Sequence, residues 1–180
     1  MENKIYEIVP AQSRIEWVGK KVTGSHNGII DLKAGEVILK NGKLSGGNFI
    51  VDTRSIKVLD IVDPALNAQM AGHLASDDFF SSQKFPEARL EIISVKGNDV
   101  DANLTIKGIT NLVRFEAVMQ SNDTHLTASA KILVDRTNYE MKFRSGNFFD
   151  NLGDTLIYND FELVVTITAK AVIKSVPVLA

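Results

Sequence analysis

The chain has 180 residues, of which 44% are hydrophobic and 23% charged, with a formal net charge of -2. That is too apolar for a disordered chain, and it fits one domain with one core across residues 1–180. Lys and Arg are scattered singly among acids, so neither nucleic acid nor an anionic membrane surface is the expected partner, and the lack of cysteine excludes disulfides, thiolate catalysis and thiolate zinc sites.

The chain opens Met1-Glu2-Asn3-Lys4-Ile5 with no apolar stretch behind it, which is not a signal peptide. A cytoplasmic location is expected if residue 1 is the natural start, and a periplasmic one if a signal was removed. Strands are predicted at residues 5–9, 13–20, 25–32, 35–40 and 43–53. Asn41-Gly42 between the last two is a hairpin signal, because both central residues of that turn need positive φ. Gly46-Gly47 lacks the surroundings of a phosphate loop and fits strand twist or a bulge.

The period then changes. Leu66, Met70 and Leu74 recur every four residues behind Asp63-Pro64, an N-cap followed by a proline suited to the first helical turn. A short helix with this apolar edge on the barrel is expected to cover or plug one end.

Further strands are predicted at residues 87–96, 100–107, 112–120, 125–134 and 160–173. Turns are expected at Gly97-Asn98-Asp99 and Lys107-Gly108. Period two is clearest where Phe161, Leu163, Val165, Ile167 and Ala169 alternate with Glu162, Val164, Thr166, Thr168 and Lys170. Leu126, Ala128, Ala130, Ile132 and Val134 repeat the pattern. Residues 138–159 read as a long loop with one helical turn. No segment is long and apolar enough to span a bilayer. Many strands joined by hairpins with little helix give an all-β fold, a single antiparallel eight-stranded barrel, since closure removes exposed edges.

Several blocks together resemble the YceI-like family of polyisoprenoid-binding proteins with a lipocalin-like barrel. They are Tyr6-Glu7-Ile8-Val9 with Ser13-Arg14-Ile15-Glu16-Trp17, then Lys20 to Gly28 around His26, and Asp52-Thr53-Arg54-Ser55-Ile56. The strongest are His73-Leu74-Ala75-Ser76-Asp77-Asp78-Phe79-Phe80 with Lys84-Phe85-Pro86, and Leu104-Thr105-Ile106-Lys107-Gly108-Ile109-Thr110. At one point the chain departs: after Arg136-Thr137-Asn138-Tyr139 many members carry Gly, which permits an unusual backbone angle, and this chain has Glu140. The resemblance implies a barrel that holds an isoprenoid or other long-chain lipid in an apolar channel.

Such a tail offers only CH groups, so its site needs an apolar lining and no cofactor. The inward phases nominate Trp17, Phe49, Leu90, Leu104, Phe115, Met119 and Ile132, with Met70 and Leu74 from the helix. The bland alternative is that these residues pack on one another as core. Arg14, Arg54, Arg114 and Arg144 are candidates for a headgroup, against ordinary surface roles. His26, His73 and His125 have no second histidine at ligand spacing, and Asp77-Asp78 are read as first-turn charges of a helix, so no metal site is expected. No nucleophile elbow or catalytic histidine motif is present, and Gly24-Ser25-His26 puts neighbouring side chains on opposite strand faces. The expected function is lipid binding for carriage, storage or stress protection. A ligand-free interaction module ranks behind it, and an enzyme acting on a small apolar substrate is the third reading. Whether the chain is a monomer or a homodimer is left open.

Overall fold

The structure, a computed structural model, describes residues 3–149 and 151–172. The strands are β1 (Asn3–Ile8), β2 (Arg14–Lys21), β3 (Gly24–Lys40), β4 (Lys43–Val58), β5 (Glu87–Lys96), β6 (Asp99–Ile106), β7 (Ile109–Ser121), β8 (His125–Asp135) and β9 (Ile157–Ala171). One helix, α1 (Pro64–Ala75), links β4 to β5. Every pairing is antiparallel, and the ladder follows the chain from β3 round to β9 before returning to β3 through β1 and β2.

β2 pairs with the first part of β3, β1 pairs with the second, and both also pair with β9. β1 and β2 therefore make one stave, interrupted by a 3-10 turn at Pro10–Gln12. Proline has no N–H for the ladder, so the break falls there. Val9 N–H donates to the Thr168 carbonyl at 2.8 Å and the Ser13 hydroxyl donates to Val9 O at 2.9 Å, which holds the two pieces in line. The result is a closed antiparallel barrel of eight staves, one of them made of the two strands β1 and β2.

The hairpins follow their turn chemistry. Asn41 and Gly42 both have positive φ, as do Lys107 and Gly108, and Gly97 turns β5 into β6. Residues 25–32 and 35–40, expected as two strands, are one 17-residue strand. Lys33-Ala34-Gly35 does not turn; a register shift between Leu32 and Ala34 absorbs an extra residue and bends β3. Another shift lies opposite Gly46, between Ile38 and Leu39. β9 begins earlier than expected, at Ile157, and the expected end at residue 173 lies outside the described residues.

Asp63 caps α1, accepting from the N–H groups of Ala65 at 2.8 Å and Leu66 at 3.4 Å. Only the second half of the helix rests on the barrel. Leu74 is buried and Met70 half-buried, but Leu66 is 55% exposed, which corrects the expected three-residue apolar edge. Asn67 explains the pose, since its amide donates to the Val58 and Ile61 carbonyls and ties the helix start to the end of β4 rather than to the core.

Trp17 closes the wall between β2 and β4. Its Nε1 donates to Lys57 O at 3.2 Å, and its ring lies over Gly28, where a Cβ would stand 1.7 Å from Lys57 O and 2.6 Å from the indole. No side chain fits at residue 28. Gly28→Ala is expected to cost roughly 2 kcal/mol, in the range of overpacked cores. A urea titration followed by circular dichroism would check this, and an unshifted midpoint would contradict the packing.

Candidate ligand cavity

The inward side chains line two hollows stacked along the barrel axis, both of them partly open to solvent. The inner one, about 110 Å³, lies within the wall formed by β2 to β9 and is apolar throughout. The mouth, about 270 Å³, lies beneath α1 and the chain between β8 and β9. Ile15 faces the inner hollow and Trp17 the mouth; Leu163 and Phe161 divide in the same way on β9. Side chains two apart on a strand are roughly 7 Å apart, so the hollows are adjacent layers.

The inner wall is not a filled core. On β7, Phe115, Ala117 and Met119 point inward yet are only half-buried, as are Ala128 and Ala130 on β8. Inward side chains keep accessible surface only where nothing packs against them. By size the space admits several water molecules, but water needs polar partners and this wall supplies almost none. No ionisable side chain lines it among the described residues.

Of the nine residues nominated from the sequence, Phe49, Leu90, Leu104, Phe115, Met119 and Ile132 line the inner hollow. Trp17, Met70 and Leu74 line the mouth. The arginines divide differently. Arg14 pairs with Glu16 at 3.2 Å, Arg54 with Asp52 at 3.2 Å and Arg114 with Asp101 at 3.3 Å, all on the outer surface. Only Arg144 reaches the mouth, where it lies 4.9 Å over the Phe143 ring.

Asp77 and Asp78 do not open a helix; they follow the end of α1 and bind locally. Asp78 meets His73 Nε2 at 3.0 Å, and Asp77 accepts from the Ser81 hydroxyl at 2.6 Å. This block anchors the helix to the barrel. Thr53 Oγ1 donates to Phe85 O at 2.7 Å, and Ser82 Oγ donates to Thr53 O at 3.0 Å. His73 itself sits edge-on between Phe79 and Phe143, with centroids at 5.0 and 4.7 Å. His26 Nδ1 lies 2.8 Å from Asp60. Burial pushes the Asp60 carboxyl up, but its bonds to His26 and to the Asn27 N–H prevail and hold it below its ordinary value. His125 bonds Thr124 at the opposite end of the barrel, so the three histidines do not converge.

Sequence reasoning missed Arg136. It is only 3% exposed and donates to three backbone carbonyls, Met141 O, Ile157 O at 3.0 Å and Tyr158 O at 3.0 Å. Burial lowers its pKa, with Asp135 opposing. These bonds pin the connection between β8 and β9, which is shorter at its far end than the loop expected over residues 138–159 and carries two 3-10 turns, Arg136–Tyr139 and Gly153–Thr155. Tyr139 is buried against Leu104 O at 3.1 Å, and burial pushes its hydroxyl up to about 12.

A closed antiparallel barrel with an apolar hollow beneath one helix defines a lipocalin-like barrel. The chain belongs to the YceI-like family, since residues 6–169 match the YceI-like domain. No curated protein matches it in sequence. Among solved structures, Burkholderia cenocepacia BcnA is similar at 19% identity, over 90% of this chain and 99% of that one, with a TM-score of 0.69. A polyisoprenoid binding domain from Saccharophagus degradans, implicated in plant cell wall breakdown, is 12% identical over 93% and 98%, with a TM-score of 0.63. The Campylobacter jejuni YceI protein is 14% identical over 71% and 73%, with a TM-score of 0.52. At these identities the likeness is one of fold. Among the described residues, no helix is long and apolar enough to cross a membrane.

Glu140, where the sequence departs from the pattern expected of the family, has φ of 61° in the left-handed region and ends the first 3-10 turn of the mouth loop. A Cβ there is strained. Its one ion pair, to Lys142 at 2.9 Å, is exposed and weak. Glu140→Gly is therefore expected to raise stability by about 0.5–1 kcal/mol, the strain relief outweighing the added freedom of the unfolded chain. Thermal unfolding of the two proteins checks the sign, and a lower midpoint for the variant would contradict it.

Proposed function

We propose that the protein binds one long-chain isoprenoid or related lipid in the apolar interior of the barrel, the far end of its tail in the inner hollow and the rest of the tail and its polar end in the mouth, for carriage, storage or stress protection. The observation that carries this is the inner wall: apolar side chains pointing into a space they do not fill. A tail entering it leaves water at a gain of roughly 0.8 kcal/mol per buried CH₂. The similar Saccharophagus degradans domain is a polyisoprenoid binding domain, which supports the same ligand class for this chain. Phe49, Leu90, Leu104, Phe115, Met119 and Ile132 are the proposed tail contacts, and Trp17, Met70 and Leu74 the contacts nearer the mouth.

A binding role fits better than an enzymatic one. Among the described residues the inner wall offers no acid or base beside the tail to activate its one hydroxyl, Ser129, and His26 and His73 are each bonded to a carboxylate. An interaction module with a packed interior would leave no hollow to explain.

Filling the hollow tests the assignment. Ala117 and Ala130 face each other across β7 and β8, and both line the space. A polyprenol at 100 times its Kd stabilises the native state by about 2.7 kcal/mol, which raises Tm by roughly 5–10 °C for a domain of this size. Ala130→Phe is expected to fold and to lose that shift, whereas Val118→Phe, at an outward position 59% exposed, keeps it. Equal shifts in both variants would place the ligand elsewhere.

A further inference from the structure

Two strands break their own inward pattern at the same end of the barrel. On β2 the inward phase runs Ile15, Trp17 and Gly19, and Lys21, past the register shift that follows Gly19, also lines the mouth. On β8 the inward phase runs Ile132, Val134 and continues past the strand to Arg136. A cation at the end of an apolar phase is a local rule broken, and such breaks gather at functional positions. Both cations flank the start of β9. Lys21 pairs with Ile157, and Arg136 donates to the Ile157 and Tyr158 carbonyls. Arg144 joins them, since its carbonyl accepts the Ile157 N–H at 2.9 Å and its side chain lines the mouth.

The charges there are unbalanced. Among the described residues, none of Lys21, Arg136 and Arg144 has a carboxylate within ion-pair distance, and Asp160 is the one acid lining the mouth. Lys20, also in the wall, leans to Glu162 at 3.9 Å. His26 and His73 are bonded to Asp60 and Asp78. A guanidinium has five N–H donors; Arg136 spends three on carbonyls, and two have no partner among the described residues. A buried cation with spare donors and no carboxylate at ion-pair distance, its charge offset in part by the neighbouring Asp135, favours an incoming anion. There is also room for one: at Gly19, between Trp17 and Lys21, a Cβ would meet nothing within 4 Å.

We propose that the mouth is an oxyanion site, in which Lys21 and Arg144 contact the phosphate or carboxylate headgroup of an acidic amphiphile and Arg136 supplies a fixed positive charge behind it. This rests on the tail-binding function proposed above and narrows its ligand from any long-chain lipid to an acidic one. The bonds of Arg136 to the loop make it a positioning residue as well, so it is a poor first mutant. Lys21 is half-buried and Arg144 exposed, so both tolerate replacement.

The chain has one tryptophan, and Trp17 lines the mouth, so quenching of its fluorescence reports occupancy directly. Three probes with the same C20 tail are titrated: geranylgeranyl monophosphate, geranylgeranoic acid and geranylgeraniol. The phosphate is expected to bind at least about tenfold more tightly than the alcohol, with the carboxylate between them, a preference of about 1.4 kcal/mol or more. In the Lys21→Gln/Arg144→Gln double variant the ratio of phosphate to alcohol affinity is expected to fall to within about twofold of one, while Lys21→Arg/Arg144→Lys preserves it. If the alcohol binds the wild type as tightly as both acids, or the Gln variant keeps the full preference, the oxyanion site is refuted and tail binding stands. If none of the three binds, tail binding itself fails.

Discussion

Closure of the backbone ladder is the constraint on which the rest of this molecule depends. In most folds the strands or helices hold together because side chains fill the space between them. Here the ring from β3 to β9 and back through β1 and β2 pairs each stave with both neighbours, β7 with β8 over residues 117–121 and 126–130 and β4 with β5 over 48–52 and 87–91, so the sheet closes on itself. The wall therefore stands without a fully packed interior. Small residues such as Ala117, Ala128 and Ala130 can face inward and leave space, where a sandwich of the same residues would collapse.

That freedom has to be limited at the ends, and the structure limits it with polar contacts rather than bulk. At the mouth, Thr53, Ser82, Asp77 and Arg136 bind backbone and side chains of the segments that lie over the opening. Trp17 seals the wall by occupying the space that Gly28 leaves. The mouth is thus the cationic end of an apolar container: Lys21 lies at the end of β2, Arg136 just past β8, and Arg144 reaches it from the connection between β8 and β9. A container with one polar end and one apolar interior matches an amphiphile in both parts.

Much of this was legible in the sequence, because the barrel is built from signals of short range. Period-two alternation placed the strands, the Asn-Gly pair at 41–42 placed a hairpin, and Asp63-Pro64 placed the helix start. The same alternation selected seven inward residues and the helical spacing two more, and these nine side chains line one hollow or the other. The features that were hidden depend on distant neighbours. Nothing local distinguishes Lys33-Ala34-Gly35 as a bulge rather than a turn; the partner strand β4 decides it. Leu66 matches the helical pattern, yet the tether from Asn67 leaves it exposed. Asp77-Asp78 look like first-turn charges until the end of α1 is located before them. Arg136 lies just beyond a strand, where alternation ceases to be informative, although extending the inward phase from Ile132 and Val134 by one more step would have found it.

The most direct test of the central claim, that the hollow holds a long apolar chain, is native mass spectrometry of the purified protein followed by solvent extraction and lipid identification. A protein that fills its hollow with lipid is expected to carry one isoprenoid or other long-chain lipid per chain, released on extraction, with free protein taking up added polyprenyl lipid to the same stoichiometry. A bare protein mass that stays unchanged after incubation with polyprenyl lipids and quinones would contradict it.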